Sequence, residues 1–322
     1  MKPKKYHLSN WKEYNRKLEE RGSIEIWFDK EVIDRWSGIP KKKGKKKAGR
    51  PKEYGEAAIK CALIFKYLHR LAFRQMQRFV SDLVKALNLG VKVPDYSTVC
   101  KRQREVKIEL VRKYKNSRKL YMLVDSSGLK VFGEGEWKVR MHGIGKRRTW
   151  IKLHIGVGIT NGNKKRIEVA EATKSGWHDC TMLPKLLNKV SGKIDNVIGD
   201  GAYDGKSCYQ VTMEKGAKLI VPPRITAKMK FVQGLTSPPI AARNKTVWYV
   251  RHHGMERWKE KTNYHQRSLV ENMFFRLKTV FGDRLSAHKF ENQKIEALLK
   301  CEVLNRFSER GMPKSYAIQN AV

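Results

Sequence analysis

Two short apolar runs that each end on an aspartate constrain this chain more than any other feature. Leu120-Tyr121-Met122-Leu123-Val124 stops at Asp125, and Asn196-Val197-Ile198-Gly199 stops at Asp200. A short, unbroken apolar run reads as a strand buried on both faces of a sheet. The segments around them alternate in period. Strands are predicted over roughly 150–160 and 165–173, with Asn161-Gly162 between them as a hairpin turn. A helix is predicted from about Asp179 to Val190, another around 203–215, a strand at Leu219-Ile220-Val221 halted by Pro222-Pro223, and a long helix from about His265 through Val280. That order describes an α/β sheet of mixed direction, with an antiparallel hairpin feeding parallel strands.

If the two aspartate-bearing strands are neighbours, their carboxylates share one edge of the sheet. Carboxylates that close repel each other and take up a proton unless a cation sits between them. Magnesium, a hard ion that prefers oxygen ligands, meets that need. Taken singly, each aspartate could merely open a turn or cap a helix. The predicted last helix carries Tyr264, Arg267, Glu271 and Lys278, at offsets that fall within an arc of roughly 60°. Leu269, Val270, Met273 and Leu277 take the other face. Arg267 and Glu271 also make an ordinary i, i+4 pair, yet a solvated stripe rarely includes tyrosine.

Charge points to the partner. The 322 residues hold 69 Lys plus Arg against 31 Asp plus Glu, a formal net charge of +38. So large a surplus opposes compaction unless a polyanion neutralises part of it, which favours nucleic acid. The basic run Lys41–Lys52 reads as a solvated linker, or as an arm whose Arg50 enters an A·T-rich minor groove. Apolar residues recur at helical spacing over Gly55–Leu71 and Phe73–Leu89. Asp95 or Ser97 can then cap a third helix carrying Lys101, Arg102 and Arg104. Three short helices ending on a basic one fit a helix-turn-helix module, or an ordinary helical packing domain with a charged face.

The expected organisation is a helical, basic DNA-binding region over 1–117, helix-turn-helix-like over 55–107. A catalytic domain over 118–310 follows, with an irregular basic insertion at 224–262 carrying Trp248 and Trp258, and then a tail over 311–322. Five scattered cysteines without a CxxC pair argue against a disulfide framework and a structural zinc site. The start is Lys-rich without an apolar core, and no run of 18 apolar residues occurs, so the expectation is a cytoplasmic, nucleoid-associated protein. Gly143-Ile144-Gly145-Lys146 fails as a P-loop because Arg140 and Arg147 stand at its glycine and Ser/Thr positions, so ATP and NAD are not implied.

Tyr264-x2-Arg267-x3-Glu271-x6-Lys278 resembles the Y-x2-R-x3-E-x6-K motif of bacterial and archaeal insertion-sequence transposases. Further segments resemble the branch named after insertion sequence five. They are Gly22–Asp29, Val93–Thr98, Gly133–Trp137, Lys146–Trp150 and Gly199–Asp204. The resemblance implies a ribonuclease-H-like catalytic domain with a DDE triad of Asp125, Asp200 and Glu271. Those three acids would hold two Mg²⁺ ions, for which Mn²⁺ can substitute, and Asp125 would bridge them. Tyr264, Arg267 and Lys278 would hold transposon-end DNA. Phosphodiester cleavage at terminal inverted repeats and joining of 3′ ends to target DNA would follow, in a homo-oligomeric paired-end complex. The family's Asp-Ser-Thr is Asp125-Ser126-Ser127 here. Asp179, after His178, also fits the family pattern, but a helix N-cap explains it, and Asp204 reads the same way. Two alternatives stay open: a domesticated, non-catalytic DNA-binding protein, and a ribonuclease-H-like nuclease that cuts without joining.

Overall fold

The strand that begins at Leu120 does not stop at Asp125. In the computed structural model, which describes residues 6–37, 52–108, 110, 120–132, 150–160, 165–230 and 237–317, it runs on to Lys130. Numbered along the chain, the strands are β1 Tyr6–Leu8, β2 Leu120–Lys130, β3 Trp150–Thr160, β4 Lys165–Lys174, β5 Ile194–Ile198, β6 Lys218–Ile220 and β7 Ser315–Ala317. The helices are α1 Trp11–Glu20, α2 Lys30–Asp34, α3 Glu56–Leu68, α4 Phe73–Ala86, α5 Tyr96–Arg102, α6 Asp179–Asn188, α7 Lys206–Glu214, α8 Pro238–His253, α9 Met255–Thr262, α10 Ser268–Phe281 and α11 Phe290–Arg310. The chain divides into two compact units, one of Met1–Lys107 with Val303–Val322 and the other of Ile108–Glu302.

In the second unit the five-stranded sheet has the order β4-β3-β2-β5-β6. β2, β3 and β4 pair antiparallel, while β5 joins β2 and β6 joins β5 in parallel. This is the mixed α/β, ribonuclease-H-like sheet expected, with the hairpin strands on one side of β2 and the parallel strands on the other. The predicted turn residues Asn161 and Gly162 lie outside the described residues. β2 is central, and that explains its unbroken apolar start: Leu120, Met122 and Val124 pack into a core with Leu183, Leu186 and Leu187 of α6 and Cys208 and Tyr209 of α7. Alternation along the strand sends Leu123, Asp125 and Ser127 to the opposite face.

Strand β2 continues past Asp125 because β3 pairs with it along its whole length. All eleven of its residues pair with β3, from Leu120 opposite Thr160 to Lys130 opposite Trp150. The polar stretch Asp125-Ser126-Ser127-Gly128 therefore stays in the ladder, although its composition favours a turn. Its far end is tied down as well. Lys130 forms an ion pair with Asp283 at 2.7 Å, and its carbonyl accepts from the Leu285 amide at 2.8 Å.

Residues 238–262, expected to be irregular, form α8 and α9. Pro238 and Pro239 in the first turn of α8 cost no intrahelical hydrogen bond there, and Gly254 at φ 84° separates the two helices. Density of basic residues had hidden a helical segment. The helix predicted from His265 through Val280 is also shorter at its start. Tyr264–Arg267 is a 3-10 turn, and the α-helix begins at Ser268.

In the first unit, α3 is apolar nearly all round and buries Ile59, Leu63 and Phe65, while α4 carries a stripe of Met76, Val80 and Val84. The side chain of Asp95 caps α5 by accepting from the Ser97 amide at 2.8 Å. β1 and β7 form a separate antiparallel pair. Among the described residues, no helix is long and apolar enough to cross a membrane.

Candidate active site

Register brings the two aspartates together. Leu123 pairs with Ile198 across the parallel β2–β5 ladder, and two residues further along each chain stand Asp125 and Asp200. Asp200 follows the last β5 residue by two positions and caps the 3-10 turn Gly201–Tyr203, its Oδ1 accepting from the Ala202 amide at 2.9 Å. The turn can sit this close because residue 199 is glycine. A Cβ there would lie 2.7 Å from the Tyr203 ring and 3.0 Å from the Val124 side chain. Any larger residue would push the Asp200 turn away from β2.

The third acid comes from α10. Arg267 ends the 3-10 turn just before that helix, and its guanidinium spans two carboxylates. One nitrogen lies 3.5 Å from Asp125, and another donates to Glu271. Two helical turns beyond Glu271, Lys278 donates to the Ser127 hydroxyl at 2.7 Å. Tyr264 stacks at a tilt on Trp258, with ring centroids 5.2 Å apart. The predicted single α-helical face is thus built differently. Its first two members stand on a tighter turn, where orphan amides at a helix start are often drawn into i, i+3 bonds.

The acids, Arg267 and Tyr264 act on one another electrostatically. Burial raises the Asp125 carboxyl above its ordinary 3.8; the Ser126 amide and Arg267 oppose the rise, while Asp200 and Glu271 add to it. Tyr264, half-buried, has its phenol raised by burial, with Arg267 lowering it and Asp200, Asp125 and Glu271 raising it. Asp125, Asp200, Glu271, Arg267 and Tyr264 therefore share one field.

A divalent metal can be tested against these residues. Among the described residues no three His, Cys, Asp or Glu side chains are gathered closely enough to hold an ion already. The donor set nevertheless fits a hard cation, since it offers carboxylate oxygens around a site where Arg267 supplies the balancing positive charge. Asp125, Asp200 and Glu271 are the residues that could hold the metal.

Sequence reasoning undervalued Asp179. Its N-cap reading is corrected, for the cap is His178 and Asp179 is the first helical residue of α6. The carboxylate pairs instead with Lys152 at 2.8 Å and faces the His154 ring at 3.2 Å. Burial would raise this acid, but contacts from His154, Lys152 and Ser126 outweigh it and hold Asp179 well below the ordinary carboxylate range. His154 in turn meets the Thr173 hydroxyl at 2.9 Å. Ser126 follows Asp125 directly, so this network braces the site strand from its other face. A signal existed: Lys152 and His154 alternate as polar residues inside an otherwise apolar strand. Asp204 is likewise not a helix N-cap, a place that Gly205 takes for α7. It makes a doubly hydrogen-bonded pair with Arg243, both contacts at 2.9 Å.

Of the basic residues expected to meet nucleic acid in the first unit, Lys101 and Arg104 are exposed. Arg102 is turned inward and donates to the Tyr54 carbonyl at 2.7 Å. Arg50, Gly133–Trp137 and Lys146–Thr149 lie outside the described residues.

The chain is similar to several known proteins. Over 268 residues, 76% of this chain and 74% of the other, the sequence is 26% identical to an uncharacterized protein of Aquifex aeolicus. Among solved structures, it is similar to piggyBac transposase in a synaptic complex with hairpin DNA, at 11% identity and a TM-score of 0.41, covering 88% of this chain and 73% of that one. It is also similar to the Drosophila P element transposase in its strand transfer complex, at 14% identity and a TM-score of 0.28, covering 64% and 47%. A family model described as a transposase DDE domain matches residues 19–134. A second of the same description matches residues 116–306, more than half the chain and the whole of the sheet with its three acids, so the chain belongs to the DDE-domain transposases.

Proposed function

We propose that this transposase cuts phosphodiester bonds at the inverted repeats of a transposon and joins the freed 3′ ends to target DNA, with Asp125, Asp200 and Glu271 as its catalytic acids. The observation that carries the reading is the shared field of those acids, with Arg267 between Asp125 and Glu271. A repressor that had lost its chemistry would have no need to keep three acids within one another's field at a cost in repulsion.

Two bound Mg²⁺ ions, or Mn²⁺ in their place, would supply Lewis acidity toward the phosphate and lower the pKa of the attacking water. The protein's own residues do the rest. Asp125, fixed in the central strand, and Asp200, which caps the turn after β5, present oxygens from one edge of the sheet. Glu271 approaches from α10. Arg267 and Lys278 put cationic groups beside the acids, where the backbone of a transposon end would otherwise be repelled. Tyr264 offers a phenol held against Trp258. Lys101 and Arg104 would meet phosphates elsewhere on the same DNA, with Arg50 of the basic run joining them. We place the chain in the branch named after insertion sequence five and read its two-part organisation as a DNA-binding region before a catalytic domain, acting as a homo-oligomer on paired ends.

End cleavage tests the reading. Asp125→Asn, Asp200→Asn and Glu271→Gln are expected to abolish cutting of a terminal-repeat duplex in Mg²⁺ while leaving its binding nearly intact. Full cutting by any of the three would remove the assignment. Binding itself should weaken steeply between low and moderate salt, because each phosphate contact releases a counterion. Strand transfer measured with pre-cleaved ends separates a transposase from a nuclease that only cuts.

A further inference from the structure

Cys180 and Cys208, far apart in sequence and unused by the chemistry above, meet in the structure. Cys180 is the second residue of α6 and Cys208 the third of α7, so both stand in first helical turns; the thiolate is favoured at Cys180, while pairing with Cys180 and burial hold the Cys208 thiol protonated. The Cys208 thiol donates to the Cys180 carbonyl at 3.6 Å. Cys208 is buried and Cys180 is partly open to solvent. Gly205 makes room for the pair, since a Cβ there would come within 3.1 Å of the Cys180 sulfur.

We infer that Cys180 and Cys208 form a reversible oxidation site, a dithiol that closes to a disulfide and thereby displaces the turn that carries Asp200. The link to the turn is direct. The Cys180 thiol donates to the Ala202 carbonyl at 2.7 Å, and the Ala202 amide donates to the Asp200 carboxylate at 2.9 Å. A sulfur–sulfur bond of about 2.0 Å requires the Cys180 sulfur to swing toward Cys208, which takes the donor away from Ala202.

The oxidant is a hydroperoxide. The Cys180 thiolate attacks one peroxide oxygen, the O–O bond breaks, and hydroxide leaves, giving a sulfenic acid. The Cys208 sulfur then attacks the Cys180 sulfur, the S–O bond breaks, and water departs with the Cys208 proton. Two thiols are oxidised, one peroxide is reduced, and a thiol reductant reverses the result. Accessibility suits this order, because the exposed sulfur reacts first and the buried one resolves. The hydrogen bond from Cys208 lowers the Cys180 thiol to about 7, burial opposing it.

The modification rests on the geometry of the two thiols alone, while its effect on cutting rests on the proposed role of Asp200. The test is hydrogen peroxide treatment of the full chain, followed by peptide mapping under non-reducing conditions and, separately, end cleavage. Expected are a Cys180–Cys208 cross-linked peptide pair, lighter by two hydrogens and reversed by dithiothreitol, and a cleavage rate down by about tenfold or more. Cys180→Ser and Cys208→Ser should keep reduced-state cleavage and lose the peroxide response. Peroxide that modifies only the exposed Cys100, or a cross-link that never forms in the wild-type chain, overturns the inference whether or not the enzyme cuts DNA. A cross-link that forms without slowing cleavage overturns the switch at the Asp200 turn.

Discussion

Two arginines in the catalytic unit hold carboxylates, and they do so in opposite ways. Arg243 and Asp204 are almost wholly enclosed, their side chains 8% and 1% exposed, with paired contacts of 2.9 Å and a further bond from Arg243 to the Lys228 carbonyl at 3.0 Å. Arg267 is 24% exposed and is shared between Asp125, at 3.5 Å, and Glu271, itself 53% exposed. The first pair is enclosed and held by three hydrogen bonds, and nothing charged could enter without breaking it. The second has a long contact and a solvent-facing partner, so a divalent cation can compete for the same oxygens. One chemical pairing locks the fold; the other keeps a charge-balanced place ready for exchange.

Breaking the locked pair should produce the largest effect. Arg243→Ala leaves the Asp204 carboxylate buried without its partner, and unfolding free energy measured by chemical denaturation should fall by about 3–5 kcal/mol. A loss well under that would mean that the enclosed pair is not a lock. Arg267→Ala should barely touch denaturation, by about 1 kcal/mol or less for so exposed a pair. The same variant should slow end cleavage by about tenfold, the size of a lost charge-assisted contact to DNA. If it instead unfolds the protein and spares the DNA reaction, the distinction between the two arginines collapses.

The pH dependence of stability sharpens the same contrast. Asp125 is raised above 3.8 by burial, so the folded state prefers its protonated form, and stability declines as pH climbs from 3.8 through the raised value. Asp125→Asn stays neutral, so it should melt no lower than the parent at neutral pH, and any gain should fade toward acid. Asp179 is held below 3.8 despite burial, so its contribution is present above 3.8 and is lost as pH falls through the lowered value. Asp179→Asn should therefore melt lower at neutral pH, and the gap should close in acid. Thermal melts of both variants across that range check the two signs together. The smallest effect is expected from Ser127→Ala, which removes the hydroxyl that Lys278 meets. About 0.5–1.5 kcal/mol of stability should go, with cleavage little changed.

How much of this could be read from residues alone varied with the physics of each part. The sheet was legible because a central strand must be apolar on both faces, and the run 120–124 and the shorter Val197-Ile198 obey that rule. The end of β2 was not, because Asp125-Ser126-Ser127-Gly128 has turn composition and only pairing with β3 keeps it extended. Helices α8 and α9 escaped notice because a lysine- and arginine-rich stretch carries little periodic apolar signal. The gathering of Glu271 toward the aspartates could be anticipated from spacing within one segment. Asp179 could not, since its partners Lys152 and His154 lie on another strand and a solitary acid after a histidine looks like a cap.

The unbroken pairing of β2 has a consequence for motion. Asp125 sits five residues into an eleven-residue ladder, with Ile155 opposite it and tied strand ends on either side. Its amide should exchange with deuterium among the slowest of the three acids, since opening it requires the central strand to leave the sheet. Asp200 rides on a one-turn 3-10 segment and Glu271 on the first turn of α10, where backbone opens far more cheaply. The site thus has one stationary post and two adjustable arms, and any adaptation to different DNA geometries through its reaction steps falls to the arms.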